Sequence, residues 1–326
     1  MIQYINVGIR HKIPQEEVLS RRIFAKTKNK MRKYSFMEKI RIITDSNSGI
    51  LQSEANSLGI FVVPMPCIID GEEYLEEISL SQDEFYEKLQ ADANVSTSQP
   101  SQIYLEELWE KELENYEKIL YIPMSSGLSA TCNNATRYAE KYDGRVLVVN
   151  NTRISVNMKE SVMQAIALAK AGKSAEKIKK YLEETKDKNS VYITMGTLKY
   201  LKKGGRISPA AAALGAMLNV KPILFSNGGA FEKCAMVLSL SQARKKMIAL
   251  ATKDLETKFK KEYEDGCMMV SVAHTQNLKE AEKFKQEILT AMPNVKFGYV
   301  DPLSLSVACH IGPGALAISL NICDKK

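Results

Sequence analysis

Apolar residues in this chain come in short runs, with polar turn-formers and amphipathic stretches between them. Residues 39–43 form one such run, which ends in Thr44-Asp45-Ser46-Asn47-Ser48, a cluster of good helix caps. This predicts a strand, a helix to about Leu58 stopped by Gly59, and strands over 60–66 and 67–74, the latter turning through Asp70-Gly71. Ser81-Gln82-Asp83-Glu84 is a capping box for a helix to about Leu89. Then come a helix over 100–117, a strand over 118–124, a helix to about Tyr142, a strand over 146–150 and a helix over about 156–171. Alternation of this kind implies a largely parallel sheet with helices on both faces.

After about residue 188 the pattern changes. A strand over 191–195 leads to a short helix, 197–203, closed by Gly204-Gly205, and to an apolar helix over 209–218 capped by Ser208-Pro209. Short strands follow near 221–225, 230–237, 267–273, 295–300 and 314–321, with helices at about 240–262 and 277–290. The expected fold class is α/β with two α/β domains. Residues 38–187 carry the largely parallel sheet and residues 188–326 a mixed one. A chain of 326 residues, 45% of them hydrophobic, suits two domains and can enclose a cavity.

The net charge of +7 does not describe the body of the chain. Residues 1–36 hold nine Lys or Arg and two Glu, which leaves 36 residues of each sign in the rest. The body therefore has no general attraction to nucleic acid. The basic stretch 1–36 is expected to be disordered or a wrongly assigned leader, with Met37 a natural start. It lacks the apolar run of a secretory signal. No stretch reaches the roughly 18 apolar residues of a membrane span, so a cytoplasmic protein with only transient membrane contact is expected. The six cysteines form no C-x-x-C pair and the three histidines are far apart, which points away from zinc and toward reduced thiols.

Thr97-Ser98-Gln99-Pro100-Ser101 crowds three hydroxyls just before a helical segment. With Pro100 at the first helical position, the free N–H groups of that turn and the neighbouring hydroxyls make a site for an anion. Ser125-Ser126-Gly127-Leu128-Ser129-Ala130-Thr131 links a strand to a helix, but G-x-S-x-G is absent and a nucleophile elbow is not formed. Arg206, after Gly204-Gly205, can clamp a carboxylate or phosphate. His310 sits on a tight turn before Gly312-Pro313-Gly314. The G-x-G-x-x-A spacing from Gly312 is no dinucleotide fingerprint, because a strand follows it. Gly172-Lys173-Ser174 lacks the leading glycine of a phosphate loop, so no nucleotide site is expected in this chain.

Taken together, these stretches resemble the DegV family of fatty-acid-binding proteins, the FakB type, from about residue 38 to about residue 321. The resemblance rests on Thr44-Asp45-Ser46, Thr97 to Ser101, Ser125 to Ser129, Leu201 to Ser208 and His310-x-Gly312-Pro313-Gly314. It implies one long-chain fatty acid in a tunnel between two α/β domains, with no cofactor and no metal. Thr97 and Ser129 would bind the carboxylate, with Ser98 and Ser126 as close neighbours. Arg206 and His310 would stand at the tunnel mouth and assist phosphoryl transfer by a separate ATP-binding fatty acid kinase, which makes an acyl phosphate. The chain would have no catalysis of its own. The competing expectation is a self-contained hydrolase or phosphotransferase using Ser129 with His310. A third is a nucleic-acid or membrane adaptor using residues 1–36. The chain departs from the family pattern at Ile311, Ala130 and Asn151-Thr152. Helix 209–218 is the candidate tunnel wall.

Overall fold

The β-branched run in Ile40–Asp45 sits at the centre of a parallel sheet and buries both of its faces. The computed structural model describes residues 38–213 and 220–324. Residues 1–36 and positions 214–218 of the expected apolar helix lie outside the described residues. The strands are β1 (Ile40–Asp45), β2 (Phe61–Val63), β3 (Pro66–Ile69), β4 (Glu72–Leu75), β5 (Val95–Thr97), β6 (Lys118–Ile122), β7 (Val146–Val148), β8 (Asn189–Thr194), β9 (Lys221–Ser226), β10 (Glu232–Val237), β11 (Met268–His274), β12 (Lys296–Pro302) and β13 (Leu316–Ile322).

β2, β1, β6 and β7 form a four-stranded, wholly parallel sheet in that order. Alternate residues on one strand point to opposite faces, and the packing follows this rule. Ile42, Leu120 and Ile122 pack against Val162, Ile166 and Leu182 from helices Ser155–Lys170 and Ala175–Glu184. Ile43, Ile119 and Tyr121 pack on the other face against Leu105, Trp109 and Ala135 from helices Gln102–Glu112 and Thr131–Ala139.

The second sheet runs β10-β9-β8-β13-β11-β12 and is mixed: β11 and β12 are parallel, while the other pairs are antiparallel. Helices Leu240–Glu256 and Leu278–Ala291 cover one face through Met247, Leu255, Phe284 and Ile288. The α/β class, with one parallel and one mixed sheet, agrees with the sequence reading.

Three local expectations are corrected. Thr97 ends β5, a strand that the sequence reading missed, which joins the expected hairpin through Asp70-Gly71 in a small antiparallel sheet, β4-β3-β5. The next helix starts at Gln102, not residue 100, because Ser101 is extended and its hydroxyl accepts from the Tyr104 N–H at 3.2 Å. Pro100 therefore lies outside the helix, and Ser101 already satisfies one of the donors meant for an anion. His310 lies in the last turn of a helix, Leu305–Ile311, and the tight turn begins only at Gly312. Among the described residues, the helix after Ser208 spans Pro209–Ala212. No helix among them is long and apolar enough to cross a membrane.

Candidate functional site

Strand pairing puts Cys67 of β3 opposite Thr97 of β5, so Thr97 projects from the small sheet at a fixed register. Its hydroxyl lies 2.9 Å from His310 Nε2, joining two stretches 213 residues apart. Helix Leu305–Ile311 brings the imidazole there and packs Leu305, Ala308 and Cys309 against Cys67 and Val95. The double glycine next to it has two separate jobs. A Cβ on Gly204 would stand 2.1 Å from His310 Nδ1, so only glycine leaves room for the ring. Gly205 ends helix Lys199–Gly204 in the left-handed region, at φ 70°.

Arg206 leaves this turn toward the loop after β6. Its Nε donates to the Leu128 carbonyl at 3.1 Å and its Nη1 donates to the Gly204 carbonyl. Ser129 follows in the same loop. Its Oγ accepts from the Thr131 N–H at 3.2 Å and meets Thr131 Oγ1 at 2.9 Å, just before helix Thr131–Ala139.

These side chains line one cavity of about 180 Å³. Thr97, Ser98, Ser129, Arg206 and His310 all face it, as do Ala130 and Ile311, two of the positions that depart from the family pattern. Ser126 is half-buried and lies outside the cavity wall. Ser129 and His310, the pair a self-contained enzyme would need, each bond elsewhere: Ser129 to Thr131 and His310 to Thr97. The rest of the wall is largely apolar, with Met65, Met124, Leu128, Ile154 and Phe231 contributing.

Sequence reading missed Asn47 and Ser306, which also line the cavity. Asn47 Oδ1 accepts from the Ser304 hydroxyl at 3.2 Å and from the Ser306 hydroxyl. Its Nδ2 donates to Asp45 Oδ1 at 2.8 Å, and Asp45 Oδ2 accepts from the Met124 N–H at 2.9 Å. Asn47 was visible only as part of a helix-capping cluster, and its partners Ser304 and Ser306 lie more than 250 residues away.

Burial pushes the Asp45 carboxyl up to about 6, although its hydrogen bonds from Met124 and Asn47 pull the other way. Burial, with the nearby Arg206 charge, pushes His310 down to about 4. The imidazole is therefore neutral at neutral pH, and Arg206 supplies the positive charge at this end of the cavity. One end can thus accept an anion through hydroxyls, an imidazole and a guanidinium, while the remaining wall can accept hydrocarbon. Among the described residues, no group of His, Cys, Asp and Glu could hold a metal ion.

Comparison with known proteins gives the same architecture. A DegV domain-containing protein of Clostridium perfringens is 32% identical over 290 residues, covering 86% of this chain and 97% of the relative. The crystal structure of DegV from Bacillus subtilis, described as a fatty acid binding protein, aligns with a TM-score of 0.76 at 28% identity, covering 88% of this chain and all of the other. A DegV family protein from Thermus thermophilus, described by its fatty acid binding, aligns with a TM-score of 0.79 at 27% identity, covering 87% of this chain and 99% of the other. The family model described as an uncharacterised protein of the DegV family matches residues 39–322, which takes in both sheets and every wall of the cavity, and the chain belongs to the DegV family.

Proposed function

We propose that this chain binds one long-chain fatty acid in the cavity and presents its carboxylate to a separate ATP-dependent fatty acid kinase, which forms an acyl phosphate. Thr97 and Ser129 donate hydrogen bonds to the carboxylate, with Ser98 the neighbouring hydroxyl on the same cavity wall. The observation that carries this reading is the single cavity in which Thr97, Ser129, Arg206 and His310 meet beside a largely apolar wall. The Thermus and Bacillus relatives, both described as fatty acid binding, support it.

The energetics suit the task. Each buried CH₂ contributes roughly 0.8 kcal/mol, so a long acyl chain supplies most of the affinity before ordering costs. An unpaired buried carboxylate costs several kcal/mol, and each charge-assisted hydrogen bond returns roughly 1.5–3 kcal/mol. Neutral hydroxyls hold the carboxylate without neutralising it, so it keeps its nucleophilicity toward ATP. Arg206, with neutral His310 as a hydrogen-bonding partner, offsets charge as phosphate accumulates. The reading places the protein in the cytoplasm, with only transient membrane contact and no cofactor of its own. The two-domain division, 38–187 and 188–326, puts the fatty acid between the domains.

Organic-solvent extraction of the purified protein followed by mass spectrometry should release fatty acid. A preparation that yields none and takes up no added oleate overturns the proposal. The double variant Thr97→Val, Ser129→Ala should weaken oleate binding at least about a hundredfold, from the loss of two charge-assisted bonds. Unchanged affinity would remove the site assignment.

A further inference from the structure

Two thiols sit directly behind the polar end of the cavity. Cys67 on β3 is fully buried and Cys309 on helix Leu305–Ile311 is 4% exposed. Both are free cysteines, and the Cys309 S–H donates to Cys67 Sγ across 3.8 Å. That hydrogen bond, together with burial, pushes the Cys67 thiol well above the usual thiol range, so this sulfur is held protonated.

Their placement is specific. Cys67 lies opposite Thr97 in the β3–β5 register, and Cys309 immediately precedes His310. On the helix, Ser306, Val307, His310 and Ile311 face the cavity, whereas Leu305, Ala308 and Cys309 pack behind it with Cys67. One thiol thus lies on the strand paired with that of Thr97 and the other on the helix of His310.

We propose that Cys67 and Cys309 are a redox-modification site, oxidised by hydrogen peroxide to a reversible disulfide that fixes β3, the strand paired with the one that carries Thr97, to the helix that carries His310. Cys309, the more exposed of the two, attacks one peroxide oxygen. The O–O bond breaks, a Cys309 S–O bond forms, and the thiol proton leaves on the other oxygen as water. The Cys67 sulfur then attacks the sulfenic sulfur, expelling hydroxide, which takes the Cys67 proton and leaves as a second water. Two thiols and one peroxide give one disulfide and two waters, with each sulfur losing one electron. A disulfide bond of about 2.05 Å requires the sulfurs to close from 3.8 Å. Strand and helix must therefore approach or rotate, and the geometry of Thr97 against His310 changes with them. The consequence for binding rests on the fatty-acid reading given above; the disulfide itself does not.

The test treats the full chain with hydrogen peroxide, blocks free thiols by alkylation and digests without reductant. The expected product is a linked Cys67–Cys309 peptide that dithiothreitol removes and that Cys67→Ser or Cys309→Ser abolishes. The exposed Cys234 serves as the internal control for oxidant action. Oxidised Cys234 together with fully alkylated Cys67 and Cys309 overturns the proposal. The oxidised protein should then differ from the reduced protein in oleate affinity by about fivefold or more, the lower end of ordinary coupling, while the serine variants show no such change. A linked peptide with unchanged oleate affinity overturns the coupling to the cavity. A linked peptide in a protein that binds no oleate in either state overturns the fatty-acid reading and leaves the disulfide standing.

Discussion

His310 is the residue whose chemistry depends most on its surroundings. In sequence it is a lone histidine before a glycine-proline-glycine turn; in the structure it bonds Thr97 and stands near Arg206. Burial and the Arg206 charge lower it from an ordinary value of 6.5 to about 4. A base with a depressed folded pKa takes up fewer protons folded than unfolded. Its contribution to stability is therefore intact above pH 6.5, falls as pH drops below that value, and levels off past about 4. Replacing His310 with Gln should flatten the stability curve across that window relative to the parent. Urea midpoints measured from pH 7 to pH 4 check this, and parallel curves for the two proteins would contradict it. Asp45, raised to about 6, acts with the opposite sign and is common to both proteins, so it cancels in the comparison.

At the scale of elements, the 3₁₀ turn Ser46–Ser48 and helix Leu305–Ile311 are locked together through Asn47. Removing that amide takes the buried acceptor from the Ser304 and Ser306 hydroxyls and one of two donors from Asp45 Oδ1, which keeps the Asn47 backbone N–H. Asn47→Ala should therefore cost about 1–3 kcal/mol in stability and should also weaken fatty-acid binding, because the same helix carries His310. Chemical denaturation and oleate titration check the two effects. A stable variant with full affinity would show that the network does not position the helix. Most of these elements were legible in the sequence. The periodicity of β1, β6 and β7 and the capping box at Ser81 predicted strands and a helix that are present within a few residues. β5 was not legible, because three residues give no measurable alternation, and its pairing partner β3 lies nearly 30 positions earlier. The start of helix Gln102–Glu112 was misplaced because Ser101 and Pro100 are both good local signals, and only the backbone shows which one acts.

At the scale of the molecule, the loops that follow the two sheets meet backbone to backbone. The Ser125 hydroxyl donates to the Gly228 carbonyl, and a Cβ on Gly127 would stand 2.5 Å from that same oxygen. Gly228 has φ 111°, and a Cβ there would lie 2.0 Å from the Thr152 carbonyl oxygen. Gly228→Ala should cost about 3 kcal/mol, near the top of the usual range for a single substitution. Gly196→Ala, which meets nothing within 4 Å, should be close to neutral. Equal denaturation midpoints for these two variants would show that the loop contact does not hold the sheets together.

The sequence by itself determined the α/β class, the succession of strands and helices, the family resemblance and the short list containing Thr97, Ser129, Arg206 and His310. These properties are written in local periodicity, capping chemistry and motif spacing, which act over a few residues. Only the tertiary structure decided that Thr97 bonds His310, that Ser126 stands outside the cavity wall, that Asn47 and Ser306 line it, and that Cys67 meets Cys309. Each of these facts depends on contacts between residues far apart in the chain. Such contacts form only when strand register and helix packing bring the segments within a few ångströms, and no local pattern encodes that distance.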